Sequence, residues 1–173
     1  MLRALGFAAA LAIAAPLAAQ AQAPKITDAQ IAHIAYTAGV LDVTAGKQAL
    51  AKSKDKAVRD FAAEMVRDHT AVNEQALALV KKLGVTPQDN PTSQALTKDA
   101  AAKQKSLAAL NGAAFDKAYI ANEVAYHKTV NGALSGTLIP NARNAELKSL
   151  LQTGLKLFTE HQAHAEHLAA GHH

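Results

Sequence analysis

Apolar residues in this chain recur every three to four positions over stretches far longer than a strand. Between residues 28 and 52 they fall at Ile31, Ile34, Ala38, Leu41 and Ala45. Between residues 56 and 83 they fall at Val58, Phe61, Met65, Val72, Leu79 and Leu83. This spacing lays one apolar stripe along each helix, and each stripe must be covered by another element. Alanine, leucine, lysine and glutamine dominate the background, and all are strong helix formers. No alternating β-branched run predicts a strand.

The first helix is expected over residues 28–52, capped by Thr27 or Asp28, and the second over 56–83, capped by Asp55 and stopped by Gly84. Residues 85–97 contain Pro87 and Pro91 and read as a loop, followed by a short helix over 98–110. A third long helix covers about 113–138 and stops before Pro140. A fourth covers about 142–170, with Leu147, Leu150, Gly154, Leu157, Phe158 and Leu168 on one face. Two connections are short and the middle one is long. That pattern predicts an all-α, ferritin-like four-helix bundle: two antiparallel hairpins joined by a crossover that carries the short extra helix.

The N-terminus has the layout of a secretory signal peptide. Arg3 precedes an uncharged apolar run over residues 4–17, and Ala21-Gln22-Ala23 offers small residues at the cleavage positions. Residues 1–23 are therefore expected to be removed, leaving a single domain from Pro24 to His173 in the periplasm. The run is shorter than the ~20 apolar residues a spanning helix needs, so no transmembrane segment is expected after cleavage. An association with the outer membrane surface or with a protein partner stays open.

The chain has no cysteine. That excludes thiolate nucleophiles, iron–sulfur clusters, covalent c-type haem and thiolate zinc sites. Met65 is the sole methionine after the leader, which argues against a methionine-rich copper carrier. The net charge of +4 comes from scattered lysines, with no basic stripe interleaved with aromatics, so nucleic acid is not an expected partner. No nucleophile elbow, zinc-protease motif or phosphate-binding loop occurs. No enzyme activity is assigned.

The informative residues are histidines on apolar stripes. His69 follows Met65 by one turn, His161 follows Phe158, and His127 shares a stripe with Ile120, Val130 and Leu134. Three helices thus each aim one histidine inward. Glu123 lies one turn before His127 and Asp116 two turns before Glu123. Asp42 flanks the stripe of the first helix. Asp68 adjoins His69, and Glu64 precedes Asp68 by one turn. The candidate metal set is Asp42, His69, Asp116, Glu123, His127 and His161, suited to Zn, Fe, Mn or Cu. In a simple register Asp42, His69 and His127 come level, while His161 lies roughly two turns away. The competing reading is a buried His–carboxylate network that fixes the core. The Glu-x-x-His pairs of di-iron bundles are missing; Glu123 and His127 are one residue further apart. Glu160, His164 and His167 read as an exposed face near the C-terminus, and His33 as a partly exposed histidine.

The stretch Ala57-Val58-Arg59-Asp60-Phe61-Ala62-Ala63-Glu64-Met65-Val66-Arg67-Asp68-His69 resembles the hallmark segment of the DUF4142 proteins, a domain family of unknown function. So does Ala113-Ala114-Phe115-Asp116-Lys117-Ala118-Tyr119-Ile120 followed by His127, and Glu160-His161 fits the family's late histidine. The resemblance implies a ferritin-like bundle exported by Gram-negative bacteria, of periplasmic or outer-membrane location. It matches at His69, Asp116, His127 and His161, whereas Asp42 stands where family members usually have Glu. It implies no established activity. Three functions are carried forward: an exported metal-binding or stress-related protein, a non-catalytic structural or partner-binding module, and a metal-dependent redox enzyme.

Overall fold

The computed structural model describes residues 25–171; the expected leader and its cleavage site, with His172 and His173, lie outside the described residues. Helix α1 spans Asp28–Lys52 and α2 spans Lys56–Lys82. Thr27 caps α1 with a capping box, its side chain accepting from Gln30 N while the Gln30 side chain accepts from Thr27 N. Asp55 caps α2 by accepting from Val58 N, and Gly84 leaves the helix at φ 63°.

Helix α3 covers Pro91–Ala108, seven residues earlier than the periodicity suggests. Pro91 does not break it, because a proline in the first turn lacks only an N–H that would have no helical partner. Asn90 accepts from Thr92 N and Ser93 N and starts the helix there. So α3 is not a short decoration but the crossover itself. It begins beside the start of α1, where Asn90 donates to Gln30 O, and ends beside the end of α1, where Lys52 donates to Ala108 O.

Helix α4 spans Gly112–Ala133, and the helical path continues beyond it past Pro140 instead of stopping there. A π-helical turn at Leu134–Leu138 leads into a last turn, α5, at Ile139–Asn141. Ile139 N donates to Leu134 O, the wide spacing of a π turn, and Ala142 N donates to Leu138 O beyond the proline. Helix α6 spans Ala145–Gly171. Asn144 accepts from Glu146 N and Leu147 N at its start, and Asp28 accepts from Arg143 N and Asn144 N. The last hairpin therefore turns at residues 142–144.

The chain folds as expected into a ferritin-like all-α bundle, with α1–α2 and α4–α6 as antiparallel hairpins and α2 parallel to α4. Among the described residues no strand occurs. Two apolar clusters fill the ends. One gathers Ala49, Val58, Phe61, Met65, Phe115 and Tyr119. The other gathers Ile31, Ile34, Leu134, Leu138, Leu147 and Phe158. Between them lies a polar layer.

The α1–α2 pair is unusually close. A β-carbon at Gly46 would lie 2.9 Å from Val66 Cγ2 and 3.0 Å from Ala62 O, and one at Gly39 only 2.2 Å from Asn73 Oδ1. Gly132 on α4 has nothing within 4 Å of such a carbon. Gly46→Ala should therefore destabilise the fold by about 1–3 kcal/mol through overpacking, while Gly132→Ala should stabilise it by about 0.5–1 kcal/mol through helix propensity. Urea denaturation of the two variants checks the contrast; equal shifts would remove the claim of tight approach.

Candidate metal centre

All six candidate residues are buried: Asp42, Glu123, His127 and His161 at 1% exposure, His69 at 2% and Asp116 at 7%. Five of them meet. The imidazoles of His69, His127 and His161 form a triangle with ring centroids 5.3–5.7 Å apart, and each ring offers a nitrogen within 4.8 Å of the others. Asp42 Oδ2 lies 2.9 Å from His69 Nε2 and 3.4 Å from His127 Nε2. Glu123, Asp42 and His127 likewise offer atoms within 4.8 Å of one another. The four principal side chains come from α1, α2, α4 and α6, one from each helix of the bundle.

Asp116 does not join them. It is two turns before Glu123 on α4, which places it about 16 Å from His127 along the axis, and its Oδ1 is buried without a partner.

His161, in contrast, is level with the other histidines. The simple register assumed that the hairpin turns before Pro140. The π turn and α5 carry the chain past the proline and move the pivot by about four residues. The two arms then slide by roughly eight residues, about two turns, which is the displacement the register had assigned to His161.

Hydrogen bonds outside the cluster orient the rings. His127 Nδ1–H donates to Glu123 O at 3.0 Å, leaving the Nε2 lone pair facing Asp42 and the other histidines. His161 Nε2–H donates to Asp68 Oδ2 at 3.1 Å, leaving Nδ1 buried. Asp68 is itself gripped by Arg67, with bonds of 2.7 and 3.0 Å. His69 stacks on Phe158 at 4.4 Å and 14°. These tautomers follow from the bonding pattern. An imidazole held by a carbonyl or carboxylate on one nitrogen, with the other turned inward, is the usual arrangement of a metal-ligating histidine.

The inward atoms are poorly satisfied. Asp42 Oδ1 and Oδ2, both nitrogens of His69, His127 Nε2, His161 Nδ1 and Glu123 Oε2 are buried with no aligned hydrogen bond. Asp42 and His69 are an ion pair by distance, yet the ring N–H does not point along the line between them. The alignment decides the matter, because an N–H bond weakens steeply as it bends. Atoms that approach to 2.9 and 3.4 Å without aiming at each other are spaced as ligands of one ion. A first-row ion with bonds of about 2.0–2.2 Å holds its donors about 2.9–3.5 Å apart.

Electrostatics divides the two core carboxyls. Burial pushes Asp42 upward, but attraction to His69, and more weakly to His127 and His161, outweighs it and leaves the carboxyl below its ordinary range. Burial, then the charge of Asp42, pushes Glu123 well above its ordinary range. Asp42 is the anion of the layer and Glu123 the neighbour that keeps its proton. Burial also lowers His127 and His161 below the usual imidazole value, against the pull of Asp42 and Asp68 respectively. Neutral imidazoles and one carboxylate are a donor set for a divalent transition metal.

Two features escaped sequence reading. Asp68 adjoins His69 in sequence, but its contact is with His161 on α6. His164 does not belong to a free exposed face: its Nδ1 is 2.8 Å from Glu64 Oε2, and its ring packs edge-on against Phe61. Glu160 and His167 are exposed as expected. A groove of about 190 Å³ between α3 and α4 reaches down to Asp42 and Glu123.

Fold and centre together define a class, a ferritin-like helical bundle with a histidine-rich polar layer at mid-height. The chain belongs to the family described as "Domain of unknown function (DUF4142)", which it matches over residues 13–168. No curated protein matches it. Among solved structures it is similar to a DUF305 protein of Streptomyces coelicolor, at a TM-score of 0.72 and 13% identity, covering 84% of this chain and 93% of that one. That similarity speaks to the fold.

In the metal-free protein the lowered His127 and His161 bind protons less readily folded than unfolded. Their share of stability is complete above about pH 6.5, the unfolded imidazole value, and is lost as pH falls below it through the folded values. The melting temperature measured without metal should accordingly drop as pH falls below about 6.5, and a flat profile there would contradict their neutral burial.

Proposed function

We propose that this is an exported protein that holds one divalent transition metal at mid-bundle, through His69, His127, His161 and Asp42. The observation that carries the reading is the convergence of three buried imidazoles, with the Asp42 carboxylate against two of them, whose inward atoms lack aligned partners. A buried polar atom left without a bond costs about 1–3 kcal/mol, and an ion bonded to all four removes that cost at once. The imidazoles need to close by less than about 1 Å each to reach bonds near 2.0–2.1 Å. Glu123, retaining its proton, is a neutral neighbour of Asp42. Three nitrogens and one oxygen suit Zn, Cu or Fe better than the all-oxygen preference of Mg or Ca.

Export to the periplasm rests on the residues of the leader, 1–23, and is supported by two further facts. The DUF305 relative of similar fold is described as a candidate secreted protein. No helix among the described residues is long and apolar enough to cross a membrane. The structural reading, in which the histidines serve only as polar glue, accounts for His161–Asp68 but leaves the Asp42 and His69 atoms unsatisfied. A redox role is the extension of the metal reading, with the α3–α4 groove as the path by which a reactant reaches Asp42 and Glu123.

The test is metal content by elemental mass spectrometry on protein purified without nickel resin, since the C-terminal histidines capture nickel. Near-stoichiometric metal should survive removal of residues 169–173 and be lost in Asp42→Asn and His69→Phe. In parallel, added Zn(II) should stabilise the parent by about 2.7 kcal/mol at a hundredfold excess over the dissociation constant. It should do the same for Asp116→Asn, and do nothing for the two ligand variants. Metal lost with the tail, or equal stabilisation of all four proteins, would return the layer to a structural role.

A further inference from the structure

On the side of the polar layer toward the start of α1, a cavity of about 150 Å³ opens between α1, α2, α4 and α6. Its walls are Ile34, Val72, Leu134, Leu138, Leu151 and Phe158. Its inner end is formed by Asp42, His69 and His127. Thr92 and Thr129, both exposed, lie on its rim. The chamber is thus mostly apolar along its sides, where Asn73 and Tyr126 are also among the lining residues, and its ionisable groups Asp42, His69 and His127 lie at one end. The polar end bears atoms with no aligned partner: both carboxylate oxygens of Asp42, both nitrogens of His69 and Nε2 of His127.

Size and chemistry limit what fits. A cavity of about 150 Å³ lined by aliphatic and aromatic side chains holds a molecule of benzene size. A long acyl chain is too large. An anion would meet the Asp42 carboxylate in apolar surroundings, at a cost of several kcal/mol. A hydroxyl instead can donate to Asp42 while its carbon body covers the walls, and it also has the lone pairs that a metal on the same residues would bind.

We propose that this cavity is a binding site for a small, uncharged, largely apolar molecule with one hydroxyl, of the size of phenol, seated with the hydroxyl at Asp42 and the carbon body toward Leu134 and Leu138. The inference rests on the reading of Asp42, His69 and His127 as a face that meets a ligand, and it adds the class of ligand to that face. Phe158 is suited to the role, because its stacking on His69 places an aromatic wall beside the polar end.

Phenol, benzene and benzoate are titrated into the purified, metal-free protein and followed by ligand-observed NMR. Phenol should bind at least tenfold more tightly than benzene, and benzoate should not bind. A variant that fills the chamber, Ala133→Leu, should weaken phenol at least tenfold while its zinc uptake stays that of the parent. Ala35→Leu, from the α1 wall, serves the same purpose should the first variant fail to fold. Phenol binding no tighter than benzene, absence of binding by either, or undiminished binding in the filled variant would each overturn the proposal. The outcomes also separate the two readings. Zinc uptake without phenol binding removes the cavity ligand and leaves the metal. Phenol binding without zinc uptake removes the metal and leaves the cavity ligand.

Discussion

A carboxylate at 1% exposure in the middle of a four-helix bundle is the demand to which the other parts answer. An isolated charge there would cost far more than the few kcal/mol by which a domain of this size is stable. Attraction to the three imidazoles outweighs burial at Asp42 and holds it below its ordinary range, while burial, and after it the charge of Asp42, pushes Glu123 well above its own. One carboxylate, three imidazoles and a second carboxyl that burial holds well above its ordinary range make a layer that is not hydrogen-bonded to completion. The incompleteness is local. It is confined to inward-facing atoms, whereas the outward nitrogens of His127 and His161 are well bonded.

The helices are arranged to sustain that layer. Gly39 and Gly46 flank Asp42 by three and four residues on the same face of α1, and both let α2 come near. A short aspartate therefore reaches His69 where a longer side chain would be needed across a normal interhelical gap. The two apolar clusters flank the layer above and below and lower the local dielectric, which strengthens each electrostatic contact within it. Asp28, reaching across to the Arg143 and Asn144 amides, ties the α6 hairpin to the first turn of α1 and sets the height of His161.

The periodicity of α1 and α2 located both helices almost to the residue, because their caps are local chemistry: Thr27 with Gln30, Asp55 with Val58. The inward histidines were legible for the same reason, since a polar residue on an apolar stripe stands out against its period. The start of α3 was not legible, because Pro91 reads equally as a loop residue and as a first helical residue, and the Asn90 cap decides between them. The π turn left no periodic mark, and the position of His161 was lost with it. Asp116 satisfied the same face rule as Glu123, yet lies two turns off, for a face says nothing about depth along the axis. The approach at Gly39 and Gly46 is a contact between helices, and no pattern within one helix contains it.

The boundary between the buried layer and solvent is, at α6, one aromatic ring thick. His161 presents Nδ1 to the interior and Nε2 to Asp68, which in turn is held by an exposed arginine. The two nitrogens of an imidazole share one π system. Anything that draws electrons from the inner nitrogen makes the outer N–H a stronger acid and shortens its hold on Asp68. The Arg67–Asp68 pair on the outer wall is thus one hydrogen bond from an imidazole of the core, and the acidity of that ring's outer N–H couples the two.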